Sequence, residues 1–109
     1  MINGLKFFSF VSEELQPKEL RSYAEKMLKK NNLDVVCVVT TINDKVSSVV
    51  NIRKEITNKL NAVELVNLIS TKVDGKPGGG RPDMAQSGGQ NVKGVQNAIN
   101  QLKKYLSNK

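Results

Sequence analysis

Apolar positions along this chain change their period several times, and each change marks an element. Leu5-Lys6-Phe7-Phe8-Ser9-Phe10-Val11 is short, aromatic and roughly alternating, the pattern of a strand whose phenylalanines belong to a core. Beyond Pro17, residues Leu20, Tyr23, Ala24, Met27 and Leu28 recur at spacings of three and four, which predicts a helix that Asn31-Asn32 ends. Leu33 through Thr41 is a nearly continuous apolar run suited to a strand covered on both faces. A strand, a helix and a parallel strand imply a right-handed crossover. Asn43-Asp44 supplies a turn, and the alternation of Val46, Ser48, Val50 and Ile52 brings the next strand back antiparallel. Arg53-Lys54 at its end either continues a basic surface or protects a strand edge.

Asn61 with Glu64 three positions later spells a capping box, and Leu60 with Leu65 the accompanying staple, so a second helix starts at Ala62. Its buried stripe is Leu65, Val66, Ile69 and Val73, and Gly75 lies where a left-handed residue closes a helix. Asn91 is placed to cap a last helix with Val95, Ala98, Ile99, Leu102 and Leu106 inside. These elements make an α/β fold: one small domain with a mixed sheet of four to five strands packed with three helices.

Between the second and third helices lies Gly75-Lys76-Pro77-Gly78-Gly79-Gly80-Arg81-Pro82-Asp83-Met84-Ala85-Gln86-Ser87-Gly88-Gly89, which holds every glycine except Gly4 and Gly94. Such a cluster marks either a tight crossing or a ligand-facing loop. Exposed N–H groups beside Arg81 and Lys76 suit a phosphate. Two known phosphate motifs fail here: after Gly80 a P-loop needs Lys and a hydroxyl residue where Arg81-Pro82 stands, and a dinucleotide fingerprint needs a further glycine. Pro77 and Pro82 stiffen the stretch and present Arg81, while Asp83 is placed to brace it. Met84 and Ala85 read as strand or core. Gln86 either reads a ribose or base edge or satisfies the loop's own backbone. Lys93, in the first turn of the last helix, opposes the helix dipole and suits an anionic partner near the same N-terminus.

The block from Gly78 to Gln86, with Gly88-Gly89 behind it, closely resembles the glycine-rich signature in the C-terminal domain of alanyl-tRNA synthetases, a domain of the DHH-associated family. The resemblance continues upstream through Ile56–Val66. Ser87 departs from the alanine common at that place. The resemblance implies that residues 1–109 are the C-terminal piece of a longer ligase, acting in the cytoplasm. Such a domain holds the outer corner of alanine-accepting tRNA for the aminoacylation and editing domains of the parent enzyme, and in some members contributes to a homodimer. The tRNA-facing residues expected from this reading are Lys76, Gly78, Gly79, Gly80, Arg81, Gln86 and Lys93. No cofactor or metal is expected in the domain itself. The alternative is an oligomerisation or interdomain docking module whose glycines only let elements pack closely.

Composition fits a single domain, with 109 residues and 39% hydrophobic content. No apolar run is long enough to span a bilayer, and none reads as a secretory signal. The lone Cys37, inside Val35–Val39, suits buried packing in a reducing compartment. Charge is divided unevenly: residues 1–44 carry six basic and six acidic side chains, whereas 45–109 carry eleven and four, so the whole excess of +7 lies in the half with the glycine block. With no histidine, no C-x-x-C and no aspartate cluster, neither metal-assisted hydrolysis nor an activated nucleophile is encoded.

Overall fold

Val35 through Thr40 are all buried because this strand lies between two cores. Val35, Cys37 and Val39 face one, Val36 and Val38 the other. The computed structural model describes residues 2 and 4–108. Its elements are β1 (Phe7–Ser12), α1 (Leu20–Lys30), β2 (Val35–Ile42), β3 (Lys45–Ile52), α2 (Ala62–Lys72), β4 (Gly79–Arg81), β5 (Met84–Gly89) and α3 (Val95–Ser107). The sheet order is β1-β2-β3-β5-β4. β1 runs parallel to β2, as the intervening α1 demands, and the other pairings are antiparallel. Helix α1 covers one face of β2 and β3; α2 and α3 cover the other. The result is the expected mixed sheet, with five strands and three helices.

Local chemistry explains most boundaries. Asn43 and Asp44 both adopt positive φ, 54° and 61°, the requirement of the tight turn whose twist matches a hairpin. Asn32, at φ 51°, turns the chain out of α1. Asn61 caps α2 by accepting from the Val63 N–H at 2.9 Å, but Glu64 does not close the box. Its carboxylate accepts instead from the Tyr105 hydroxyl at 3.1 Å, tying α2 to α3.

Four further expectations are corrected. The left-handed residue after α2 is Asp74, at φ 55°, and not Gly75, which donates its N–H back to the Ser70 carbonyl at 2.8 Å. Asn91 supplies no side-chain cap; a 3-10 turn over Val92–Gly94 leads into α3. The glycine block is largely not a loop, since Gly79–Arg81 and Met84–Gly89 form a hairpin around Pro82-Asp83. Finally, Phe10 is 38% exposed, because β1 is an edge strand, an order that periodicity does not encode.

Burial pushes the Cys37 thiol up to about 12, since its thiolate would be stranded among apolar side chains. Raising an acid's pKa in the folded state makes the unfolded chain lose its proton first. Cys37 therefore leaves stability unchanged below about pH 9 and lowers it progressively as pH rises towards 12. A disulfide reagent should label Cys37 only as fast as the domain opens, and labelling at the rate of a free thiol would contradict its burial.

Candidate nucleic-acid interface

The hairpin of β4 and β5 separates the glycines into two kinds. A Cβ on Gly75 would run into the Gly88 carbonyl, on Gly78 into that of Gln86, on Gly80 into that of Met84, and on Gly89 into Val73. These four let the segment after α2 and both strands lie against one another. Gly79 is different: it is exposed, its φ is ordinary, and an added Cβ would meet nothing within 4 Å. Gly88 is similar, exposed and with only the Val46 carbonyl at 3.4 Å. Nothing inside the protein requires either residue to lack a side chain.

These two share a face. Gly79 pairs with Gln86, and Gly88 stands two residues beyond Gln86 and pairs with Ser47. Side chains alternate along a strand, so Arg81, two residues from Gly79, projects on the same side. Arg81 is opposite Met84, which is buried in the core beneath α1. This is therefore the face that α1 covers over β2 and β3, and it lies open over β4 and the end of β5. The outcome is a strip of nearly bare backbone.

Cations stand at both ends of that strip. At one, Arg81 is 63% exposed and its Nε lies 3.3 Å from Asp83 Oδ1, an ion pair that aims the guanidinium without burying it. Lys54 and Thr57 join Arg81 and Asp83 around a depression of about 300 Å³, and an adjoining one brings in Lys29 and Glu25 from α1. At the other end, Lys45 and Lys76 line a broader depression of about 810 Å³ with Asn43, Gln90 and the two carboxylates of Asp44 and Asp74, so their charge is locally balanced. Gln86 lies between, exposed.

The remaining candidates are placed differently. Gly78 donates its N–H to Asn67 Oδ1 on α2 at 2.7 Å, so that amide is already engaged. Gly80 shapes the hairpin at φ 152°. Lys93 lies in the turn before α3, beside Gly94, which is buried where a Cβ would meet the Lys72 carbonyl. That turn abuts the end of α2, whose negative pole accounts for a nearby cation, and Lys93 lines neither depression. Arg53 resolves the ambiguity at the end of β3: it bonds Asp34 at 3.1 Å and the Asn32 carbonyl at 3.3 Å, and β3 is no edge. Arg53 still lines the depression that holds Lys29, while Lys54 lines that one and the depression beside Arg81. Sequence reasoning missed Lys45, whose only signal was a hairpin turn.

Among the described residues, no group of three or more His, Cys, Asp or Glu side chains gathers as a metal site. None of the described helices is long and apolar enough to cross a membrane. Ser87, the position unlike the resembled signature, turns to the α2 side, where its hydroxyl lies 2.6 Å from that of Ser48 and 3.2 Å from the Val66 carbonyl. The departure lies away from the open strip.

A family model described as the DHHA1 domain matches residues 4–108. Among solved structures, the C-Ala domain from Aquifex aeolicus alanyl-tRNA synthetase superposes with a TM-score of 0.90 at 34% identity, covering 98% of this chain and 96% of that one. The fold and the glycine-rich hairpin are thus those of a synthetase-associated domain, and the chain belongs to the DHHA1 domain family.

Proposed function

We propose that this domain binds tRNA, as the C-terminal module of an alanyl-tRNA synthetase in the cytoplasm, and holds the outer corner of alanine-accepting tRNA for aminoacylation and editing elsewhere in the parent enzyme. The observation that carries this reading is Gly79, an exposed strand residue where an added Cβ would meet nothing within 4 Å. A missing side chain that the fold does not require is explained by something that must come close from outside. Lys54 and Arg81 at one end and Lys45 and Lys76 at the other lie about 20 Å apart along β3, taking roughly 3.3 Å per residue. The strip is open and flat. Such a surface suits a broad polyanion more than a small ligand, and recognition by backbone and shape more than by base sequence.

A titration of tRNA against the domain at several salt concentrations tests the reading. Affinity should fall as salt rises, and Arg81→Ala should reduce the logarithmic slope by about one unit with the fold unchanged. Equal competition by duplex DNA would remove the assignment to tRNA. The second reading, a docking or oligomerisation module, is favoured by the four glycines that only permit packing. It predicts that Arg81→Ala alters neither affinity nor slope.

A further inference from the structure

Asn51, near the end of β3, is only 5% exposed, yet among the described residues nothing hydrogen-bonds its side-chain amide. Packing alone would favour an apolar residue there: the two residues paired with Asn51 across the ladder, Val36 and Met84, belong to the core beneath α1. A carboxamide carries two donor hydrogens and an acceptor oxygen, and holding them nearly dry without partners is costly. Every fully buried side-chain nitrogen and oxygen among the described residues has a partner, so this amide is not sealed in. It opens onto the depression of about 290 Å³ that Asn51 lines together with Leu28 and Met84.

The walls indicate what fits. Lys29, Lys54 and Arg81 around this depression are matched by Glu25, Glu55 and Asp83, and the remaining cation, Arg53, is paired with Asp34. Such a balance repels a phosphate as much as it attracts one, and it suits a flat, neutral ring with donors and acceptors on its edge. The adjoining depression shares Lys54, Arg81 and Asp83 but has no other carboxylate, so its cations are in excess and suit the phosphate. We infer that one unstacked nucleotide of the bound RNA is held across the two. Its base lies against Leu28 and Met84 with Asn51 on its donor–acceptor edge, and its phosphate lies between Lys54 and Arg81. A thioether such as that of Met84 packs well on an aromatic ring. The inference rests on the tRNA-binding reading above and adds a feature to it: the bare strip takes the sugar-phosphate ribbon, and Asn51 takes a base that a loop or bulge can supply and a paired stem cannot.

Asn51→Leu, with Asn51→Val as a smaller second variant, tests this. Because an unpaired amide is removed from apolar surroundings, at least one of the two should melt at or above the temperature of the natural chain, and that variant should bind tRNA about tenfold more weakly. Its affinity for a fully paired RNA duplex should be unchanged. In an NMR titration of the natural chain, the Asn51 side-chain amide should shift with adenosine monophosphate, whose base offers an adjacent donor and acceptor, and stay still with ribose 5-phosphate. Early melting of both variants would show that the amide serves the fold, and undiminished tRNA binding by a stable variant would show that it holds water only; either overturns the inference and leaves the tRNA-binding reading standing. An equal response to ribose 5-phosphate overturns it too. A natural chain that binds no tRNA, yet whose Asn51 amide responds to the nucleotide, removes the function proposed above and keeps the base site; silence towards both removes the two together.

Discussion

Gly79→Leu is expected to leave the domain at least as stable as the natural chain and to abolish most of its tRNA affinity. The site leaves open space around a Cβ and has an ordinary φ and an edge-strand position, so a side chain there meets no steric clash at its base. Replacing glycine in a strand reduces the conformational freedom of the unfolded chain, which stabilises by about 0.5–1 kcal/mol. Outside, the new side chain holds an incoming backbone several ångströms from the strip and breaks contacts at both of its ends. Loss of a central contact of this kind costs about 2–3 kcal/mol, or roughly 30- to 150-fold in affinity. Fluorescence anisotropy with labelled tRNA, beside a thermal melt, reads both effects. A variant that binds normally shows that nothing approaches this face, and a variant that melts early shows that Gly79 is structural after all.

Gly75→Ala should behave in the reverse sense. Its Cβ would overlap the carbonyl of Gly88, a main-chain atom held in β5, so no side-chain rotation relieves the clash. Separating the segment after α2 from the end of β5 also strains the bond from Gly75 N–H to Ser70 and the packing of Gly89 on Val73. Forced backbone movement of this kind costs about 3 kcal/mol or more, which for a domain of this size lowers Tm by more than about 10 °C. Below its melting temperature the variant should retain a measurable share of tRNA affinity, because Gly79 and Arg81 in β4 and Lys54 after β3 lie away from the clash. Calorimetric melting measures the first effect and anisotropy on the cold protein the second. Together the two glycine variants divide one motif into a part that builds the hairpin and a part that faces outward.

That division was not legible in the sequence, although the motif was. Gly75, Gly78 and Gly79 look alike in the chain, and which of them must be glycine depends on which carbonyl the fold sets opposite: Gly88 faces the first, Gln86 the second, nothing the third. Elements with a strong local cause were readable. The run from Val35 to Val39 announced a strand between two cores, and Asn43-Asp44 announced its turn. What failed was decided at a distance. Arg53 and Lys54 are adjacent and equally basic, yet Asp34 on β2's approach claims only the first. Phe10 reads as core until the strand order makes β1 an edge. Gly75 reads as a helix cap until Asp74 is seen to take the left-handed angle and Gly88 to need the space. Lys93 was linked to the glycine stretch through a helix N-terminus, and Gly94 packs that turn against α2 instead.

The central claim is that the bare face of the β4–β5 hairpin, with Arg81 and Lys54 at one end and Lys45 and Lys76 at the other, is where tRNA rests. The most direct measurement is a backbone-amide NMR titration of the labelled domain with tRNA. The account predicts that the largest shift changes fall on Gly79, Arg81, Gln86 and Gly88, with weaker ones at Lys45, Lys54 and Lys76 and none along β1. Shift changes concentrated on β1, or on the outer surfaces of α2 and α3 with the hairpin silent, would contradict it.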